Sequence, residues 1–301
     1  MSATHEEFLG RLIAARLLIP SGVEGVYGRG DRFEAVCEGM DRYVTQAGAG
    51  DGAERIRFPP VVTRANFERS EYLKSFPDLA GVVYGFTGKD REHQELLRKL
   101  ERHEDWTGGL VPTDVVMTPA ACYPIYPTLS GVLPPGGRRF DVLSYCFRHE
   151  PSSDPARMQL FRMHEYVRVG SPDVVRSFRN VWQERGTEML RSLGLEARVD
   201  VAHDPFFGRA GRMLAANQRD QSLKFELLVP ICSAEKPTAC VSFNYHQDHF
   251  GQLFGIHLPG GGPAHTACVG FGLERIALAL FARHGTSIDN WPVAVRRMLD
   301  V

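Results

Sequence analysis

Residues 147–165 carry aromatic, cationic and acidic side chains at regular intervals, the types that a site for a nucleotide joined to an amino acid needs. The segment begins with FRHE at 147–150, passes through a polar turn, and continues with Arg157, Phe161 and Glu165, spaced four residues apart. We predict a β-hairpin here. Because alternate residues of a strand share a face, Arg157, Phe161 and Glu165 should point the same way.

The length of this array matches that of an aminoacyl-adenylate. At roughly 3.3 Å per residue, Phe161 and Glu165 lie about 13 Å apart along one strand. Arg148 and Glu150 share a face at the end of the preceding strand in the same manner. A flat ring at one end, cations along the middle and a carboxylate at the far end would suit a nucleotide joined to an amino acid.

Length, composition and charge set wider limits. The chain has 301 residues, of which 43% are hydrophobic and 24% charged, and its formal net charge is −1. A chain of this length can bury a large core, so we expect a single catalytic domain over residues 1–301 with an insertion at about 203–221. The near-neutral charge provides no overall basic field that would attract nucleic acid or membrane.

Cysteine usage and the lack of export signals favour a cytoplasmic protein. No run of 18 apolar residues and no signal peptide is visible, so no membrane partner is expected. The six cysteines are scattered along a sizeable chain, which favours free thiols or metal ligands over disulfides.

Hydrophobic spacing predicts the elements that must position these residues. Helices are predicted at 5–18, 33–47, 90–104 and 172–194. Strands are predicted near 54–58, 196–202, 222–229 and 238–246, with a polar, arginine-bearing segment at 205–221. The apolar GFGLERIALALF predicts a buried helix. Because the later strands mostly lack intervening helices, we predict an α/β protein of the α+β type, with a mostly antiparallel sheet flanked by helices.

Three of these segments resemble, in order, the signature motifs of the catalytic domain of class II aminoacyl-tRNA synthetases. The hairpin fits the second motif in both halves, and GFGLER with Arg275 fits the third closely. The helix and strand that end at Pro59-Pro60 fit the first motif loosely, through the proline. The resemblance covers about residues 33–285.

Within that superfamily the chain is most similar to the seryl branch, through KFELLVP around Glu226, VSFN around Asn244 and HTACVGFGLER from His265. No segment could form the long coiled-coil arm by which ordinary seryl enzymes grip tRNA. Two cysteines also depart from the ordinary pattern, because Cys122 lies in TPAAC and Cys268 lies just before the third motif.

With Glu165, these two cysteines make a Cys/Glu/Cys set that resembles the zinc site of the atypical seryl-tRNA synthetases. The small size and the segments TPAACYP, MHE and HTACVGFGLER resemble their truncated relatives, the amino acid:carrier protein ligases. This resemblance implies that glycine or alanine is activated with ATP as an aminoacyl-adenylate. The aminoacyl group would then pass to the phosphopantetheine thiol of a carrier protein, with no tRNA-binding domain and with a homodimer expected.

The resemblance also implies how the charged residues share the chemistry. Arg148 and Arg275 are the catalytic candidates. Arg148 would contact the α-phosphate and the substrate carboxylate, while Arg157 and Arg275 would hold the β/γ-phosphates of ATP. A guanidinium suits these tasks because it donates parallel hydrogen bonds and keeps its charge. Phe161 would stack under adenine, and Glu150 would accept a hydrogen bond from the adenine amino group.

The resemblance also implies two metal ions, magnesium and zinc. Glu226 and Asn244 would provide oxygen atoms that bind Mg²⁺ or the ribose of ATP. The seryl branch has a further magnesium acid just before VSFN, whereas this chain has Thr238-Ala239 there. Zn²⁺ held by Cys122, Glu165 and Cys268 would keep a fourth position open for the amino group of the substrate.

The sequence leaves two alternatives for the surface on which the carrier protein docks and three for the base that accepts the thiol proton. An acidic carrier protein would dock on a local basic face. The preferred candidates lie in the insertion, at Arg209, Arg212 and Arg219. The alternative lies on the helix at 172–194, with Arg176, Arg179 and Arg191. The candidate bases are His149, His164 and His246.

Two other functions remain as alternatives. A minimal aminoacyl-tRNA synthetase would need a surface that grips tRNA, and no recognisable binding domain or strong basic tract stands in the sequence. A non-catalytic regulatory paralogue would be expected to lose the catalytic arginines, whereas Arg148, Arg157 and Arg275 are all present.

Overall fold

The protein, seen in a computed structural model, is described over residues 4–301, apart from the side chains of Arg209, Ala210 and Leu214. The helices of these residues are α1 (His5–Ala14), α2 (Asp31–Gly48), α3 (Arg64–Arg69), α4 (Tyr72–Ser75), α5 (Asp90–Glu101), α6 (Pro172–Ser192), α7 (Gly208–Asp220), α8 (His249–Phe254), α9 (Leu273–His284) and α10 (Val293–Leu299). None of them combines the length and apolarity that crossing a membrane requires.

The strands are β1 (Leu18–Pro20), β2 (Tyr27–Arg29), β3 (Glu54–Ile56), β4 (Val61–Thr63), β5 (Val82–Gly85), β6 (Val111–Met117), β7 (Gly131–Val132), β8 (Arg138–Phe147), β9 (Leu160–Gly170), β10 (Arg198–Val201), β11 (Lys224–Val229), β12 (Thr238–Gln247), β13 (Ile256–His257) and β14 (His265–Gly272). Seven of them form the central sheet in the order β10-β11-β12-β14-β9-β8-β3. All neighbours in it are antiparallel except β3, which runs parallel to β8. The predicted fold class is confirmed.

The main core lies between one face of this sheet and helices α2, α6 and α9. Trp182 of α6 stacks on Tyr166 of β9 with ring centroids 4.4 Å apart. Helix α9 is buried along almost its whole length, as its continuous apolar sequence predicted. Because neighbouring strand residues alternate faces, the residues next to these core positions point to the opposite face of the sheet.

Arg148, Glu150 and Arg157 lie in the loop between β8 and β9, and not on the strands where the sequence analysis placed them. This loop contains prolines at positions 151 and 155, which have no N–H group to donate to a strand ladder. The direction of these three side chains is therefore set by their own contacts and not by strand alternation.

The predicted insertion contains a helix, α7, rather than a polar loop alone. The segment that leads into it packs against the end of α4. Phe206 stacks on Phe76 with ring centroids 5.3 Å apart, and the N–H of Phe207 donates to the carbonyl of Ser75 at 2.8 Å. The insertion thus crosses from the sheet edge to the end of α4.

Candidate active site

A cleft opens on the face of the central sheet opposite α6. It is lined by residues of β9, β11, β12 and β14 and by the loop that follows β6. Five residues of the predicted ATP site line it, namely Arg148, Phe161, Glu226, Asn244 and Arg275. The three predicted metal ligands, Cys122, Glu165 and Cys268, line the same cleft.

Strand register explains why residues far apart in sequence meet here. Cys268 on β14 lies opposite Asn244 on β12, which in turn lies opposite Lys224 on β11. Glu165 on β9 lies opposite Gly270, two residues after Cys268. Glu165 and Cys268 therefore share one face of adjacent strands, at a diagonal position.

Arg148 and Arg275 are held in the cleft by backbone carbonyls. Nε of Arg148 donates to the carbonyl of Pro119 at 3.2 Å, and its guanidinium lies 5.5 Å from the ring centroid of Phe161. Nε of Arg275 donates to the carbonyl of Ala156 at 2.8 Å. Burial and then the charge of Arg148 lower the pKa of Arg275. Two guanidinium groups that repel each other in this way form a site suited to an anion.

Glu150 and Arg157 do not line the cleft. Their side chains form an ion pair with each other in the hairpin loop, and Nε of Arg157 lies 4.0 Å from Asp154. The carboxylate and the guanidinium therefore compensate one another in this structure, and the charges of both groups also act on Arg275.

The Cys/Glu/Cys set is compact and buried. The ligand atoms of Cys122, Glu165 and Cys268 all lie within 4.8 Å of one another, and each residue is at most 5% exposed. Oε1 of Glu165 accepts from the N–H of Ala121 at 2.8 Å, whereas Oε2 is buried without a hydrogen-bond partner among the described residues. Burial raises the pKa of Glu165 to about 8.

This geometry fits a bound metal ion. An unpartnered carboxylate oxygen beside two thiols is costly unless a cation or a proton compensates it. The hydrogen bond from Cys122 lowers the pKa of Cys268 well below its usual range, so one thiol is set to ionise. Two sulfurs with one carboxylate oxygen are a donor set that suits zinc.

Two side chains on β12 contact the sulfur of Cys268. Nδ2 of Asn244 donates to it at 3.4 Å and to Oγ of Ser242 at 3.3 Å. Nε2 of His246 lies 3.7 Å from the same sulfur. Asn244, which was predicted to bind Mg²⁺ or the ribose of ATP, thus lies beside the Cys/Glu/Cys set.

Glu226 has a lysine neighbour that sequence reasoning missed. Nζ of Lys224 lies 3.1 Å from Oε1 of Glu226 and 2.6 Å from Oδ1 of Asp204. Lys224 precedes Glu226 by two residues on one strand, so face alternation could have identified it. Asp204 could not be identified, because its position depends on how the insertion folds back over the cleft.

The three candidate bases have different positions. His164 is fully buried, with Asp41 and Asp141 at 2.6 and 3.3 Å from its ring nitrogens, and it faces away from the cleft. Burial alone would lower the pKa of His164, but the two carboxylates raise it. His149 is exposed in the hairpin loop, whereas His246 lines the cleft. The fold thus removes His164 from the candidates.

The two predicted docking surfaces also differ. Arg212 and Arg219 are exposed on α7, while the side chain of Arg209 lies outside the described part of the structure. On α6, Arg179 donates to the carbonyl of Ser222 at 2.7 Å and lies over the ring of Phe225. Arg179 is therefore already engaged, which leaves the α6 surface a weaker candidate than α7.

Sequence comparison identifies two similar bacterial proteins. No family model matches the chain. A protein of Bradyrhizobium diazoefficiens named amino acid–acyl-carrier-protein ligase 1 is 50% identical over 289 residues, which cover 95% of this chain and 88% of that protein. A second protein of the same organism, amino acid–acyl-carrier-protein ligase 2, is 49% identical and is covered over 86% of its length.

More distant relatives act on tRNA. The type-2 serine–tRNA ligase of Methanopyrus kandleri is 28% identical over 273 residues, and the match spans 83% of this chain but about half, 51%, of that enzyme. The solved M. kandleri seryl-tRNA synthetase in complex with A. aeolicus tRNASec has a TM-score of 0.84 at 22% identity, covering 99% of this chain and 61% of that one. Seryl-tRNA synthetase from Pyrococcus horikoshii, complexed with ATP, has a TM-score of 0.70 at 15% identity, over 100% of this chain and 63% of that one. These similarities show a class II synthetase-like fold.

Proposed function

The chain belongs to the amino acid–acyl-carrier-protein ligases, and we propose that it activates glycine or alanine with ATP and transfers the aminoacyl group to the phosphopantetheine thiol of a carrier protein. One observation carries this proposal. A single cleft holds two arginines and an aromatic ring suited to ATP together with a buried Cys/Glu/Cys set. The arginines and the aromatic ring would bind the nucleotide part of an aminoacyl-adenylate, and the Cys/Glu/Cys set would bind its amino acid part.

The first step is the attack of the amino acid carboxylate on the α-phosphate of ATP. Both groups are anionic, so the site must neutralise charge and align them. Arg148 contacts the α-phosphate and the carboxylate, and Arg275 holds the outer phosphates with Arg157. Phe161 stacks under adenine. Glu150 accepts from the adenine amino group, which requires its ion pair with Arg157 to open when ATP binds.

Magnesium accompanies ATP in this proposal, with Glu226 and Asn244 as oxygen donors to it or to the ribose. The buried ammonium of Lys224 lies 3.1 Å from Glu226 and is a fixed cation beside that place. Because Nδ2 of Asn244 faces Cys268, its oxygen is the atom left for such a contact.

Cys122, Glu165 and Cys268 would hold zinc. Bound there, zinc would act as a Lewis acid toward the neutral α-amino group of the substrate. Bulky rings surround this end of the cleft: His246 lies next to Cys268, and Phe250 packs against both His246 and Tyr123 at ring-centroid distances of 5.0 and 5.8 Å. Such walls leave room for a small side chain, which supports glycine or alanine.

The second step needs no protein nucleophile. The phosphopantetheine thiol attacks the carbonyl carbon of the adenylate, the C–S bond forms, the C–O bond to phosphate breaks, and AMP and the thiol proton are released. We place the docking of an acidic carrier protein on α7, through Arg212 and Arg219. We further propose that the enzyme is a cytoplasmic homodimer, as expected from the family resemblance.

The test combines partial reactions with metal analysis. Amino-acid-dependent ATP–pyrophosphate exchange is measured for the twenty amino acids, and zinc is quantified in the same sample. Labelled glycine or alanine is then offered with carrier protein bearing phosphopantetheine, with carrier protein lacking it, and with total tRNA. We expect exchange with glycine or alanine, about one zinc per chain, and labelling of the phosphopantetheine form alone. Labelled tRNA would instead identify a minimal synthetase, and absence of exchange a regulatory paralogue.

A further inference from the structure

His246 links Thr266 to the sulfur of Cys268 through a short chain of hydrogen bonds. Its Nδ1 lies 3.0 Å from Oγ1 of the buried Thr266, and its Nε2 lies 3.7 Å from the sulfur of Cys268. A metal-bound thiolate accepts hydrogen bonds and cannot donate one. Nε2 must then carry the proton, so Nδ1 accepts from the Thr266 hydroxyl. Thr266 thereby fixes the tautomer of His246.

The sulfur of Cys268 thus has two donors aimed at it, from Asn244 and His246. We propose that Asn244 and His246 form a hydrogen-bonding outer shell that holds this sulfur in place and sets how strongly it binds zinc, with Thr266 fixing the tautomer of His246. This inference rests on the zinc site of the proposed function and assigns three positioning residues to it.

Charge is the physical reason for such a shell. Two thiolates and one carboxylate around a divalent ion leave one net negative charge in a buried site, which is unfavourable in a medium of low polarity. Hydrogen bonds to the sulfurs spread that charge and orient the ligands. They also reduce electron donation from sulfur to the metal, so that the metal polarises an incoming amine more strongly.

The experiment compares donors with near-isosteric groups that cannot donate. His246→Leu removes the imidazole donor, Thr266→Val removes the hydroxyl that donates to the imidazole, and His246→Gln retains an N–H group. Tyr166→Phe is the matched control, since Tyr166 follows Glu165 on β9 but faces the core. Zinc affinity is measured by competition with a chromophoric chelator. The sulfur-to-metal charge-transfer absorption is recorded for the Co²⁺-loaded proteins.

We expect His246→Leu to weaken zinc binding about tenfold or more, Thr266→Val to weaken it less, and both to shift the Co²⁺ charge-transfer band. His246→Gln should lie closer to the parent, and Tyr166→Phe should match it. The KM for the amino acid should rise in His246→Leu and Thr266→Val while the KM for ATP stays constant.

Unchanged zinc affinity and an unchanged Co²⁺ spectrum in both His246→Leu and Thr266→Val would overturn the outer shell while leaving the zinc site intact. A parent protein that binds no zinc would overturn the zinc site itself and, with it, this inference. If one variant does not fold, by circular dichroism, the other decides the question.

Discussion

Glu274 on α9 accepts two hydrogen bonds from Arg162 on β9, one from its backbone N–H at 2.7 Å and one from Nε at 2.8 Å. The same guanidinium makes a two-point contact with Glu34 of α2 at 2.6 and 3.0 Å, and Arg29 lies 3.3 Å from Glu274. This ionic network joins the elements that carry the three motifs. Because Phe161 and Arg275 are the chain neighbours of Arg162 and Glu274, the network fixes two cleft residues from behind the sheet.

Replacing Glu274 with Gln should therefore reduce stability strongly. The change leaves the guanidinium groups of Arg162 and Arg29 buried with an incomplete counter-charge, which costs about 3–5 kcal/mol when one partner of a buried pair is removed. Urea unfolding at neutral pH measures the loss. Asp289→Asn is the control, because Asp289 forms an exposed pair with Arg32 at 3.8 Å and should change stability by less than about 0.5 kcal/mol. Equal effects would contradict the role assigned to the network.

Cys268→Ser should release zinc and remove amino-acid-dependent exchange. A hydroxyl is a poor substitute for a thiolate ligand, so we expect zinc content to fall close to zero and exchange to fall at least about a hundredfold. Cys232→Ser is the matched control, since Cys232 lies on the loop between β11 and β12. Full exchange activity in a metal-free Cys268→Ser protein would refute the zinc role.

Arg275→Met should weaken the use of ATP and spare the fold. Loss of a charged hydrogen-bond donor to phosphate costs about 1.5–3 kcal/mol, or roughly 10- to 150-fold in kcat/KM for ATP. Arg283→Met provides the comparison, because Arg283 lies on the same helix and pairs with the exposed Glu196 at 3.3 Å. Initial rates of exchange at varied ATP concentration give both values. Similar kinetics for the two variants would remove Arg275 from the site.

Reversing the charge of Arg212 and Arg219 together should slow transfer to the carrier protein and leave exchange unchanged. Each exposed charge contributes to attraction over about a Debye length, so transfer by the parent should weaken with added salt and transfer by the double variant should respond less. Arg91→Glu on the exposed face of α5 is the control. Transfer rates equal to the parent at low salt would exclude α7 as the docking surface.

Asp204→Asn should cost stability at neutral pH but not in acid. Burial raises the pKa of Asp204, but the charge of Lys224 and the hydrogen bonds from Gln218 and Lys224 outweigh it, so that the pKa lies below its ordinary value of 3.8. A carboxylate of this kind stabilises the fold fully above 3.8, and this contribution disappears as the pH falls through the lowered pKa.

The variant should therefore be less stable than the parent by about 1.5–3 kcal/mol at pH near 7. The gap should close as the pH falls below 3.8. Urea midpoints across that range measure it, with the exposed Asp220→Asn as a reference that should show no such closing. A gap that stays constant with pH would show that the Asp204 charge does not hold the insertion.

Most of the element order followed from local patterns. Helix α9 was predicted from its continuous apolar sequence, and α6 from its opening Ser-Pro-Asp and closing glycine. The strand bounds of the hairpin were wrong by several residues, because prolines at 151 and 155 keep the turn out of the ladder. Helix α1 also ends at Ala14, before the predicted limit at 18, since residues 18–20 form strand β1.

The amino-acid sequence alone identified the reacting groups. These are arginines and a phenylalanine around one hairpin, together with two cysteines and a glutamate that a family resemblance groups into one set of metal ligands. Only the tertiary structure decided which of them share a cleft. It placed His164 behind the sheet, paired Glu150 with Arg157 in the hairpin loop, and brought Lys224 and Asp204 to the cleft. The reason is physical. Periodicity along the chain fixes which face a residue takes within its own element, whereas contacts between residues a hundred positions apart depend on strand register and on how loops pack across the sheet.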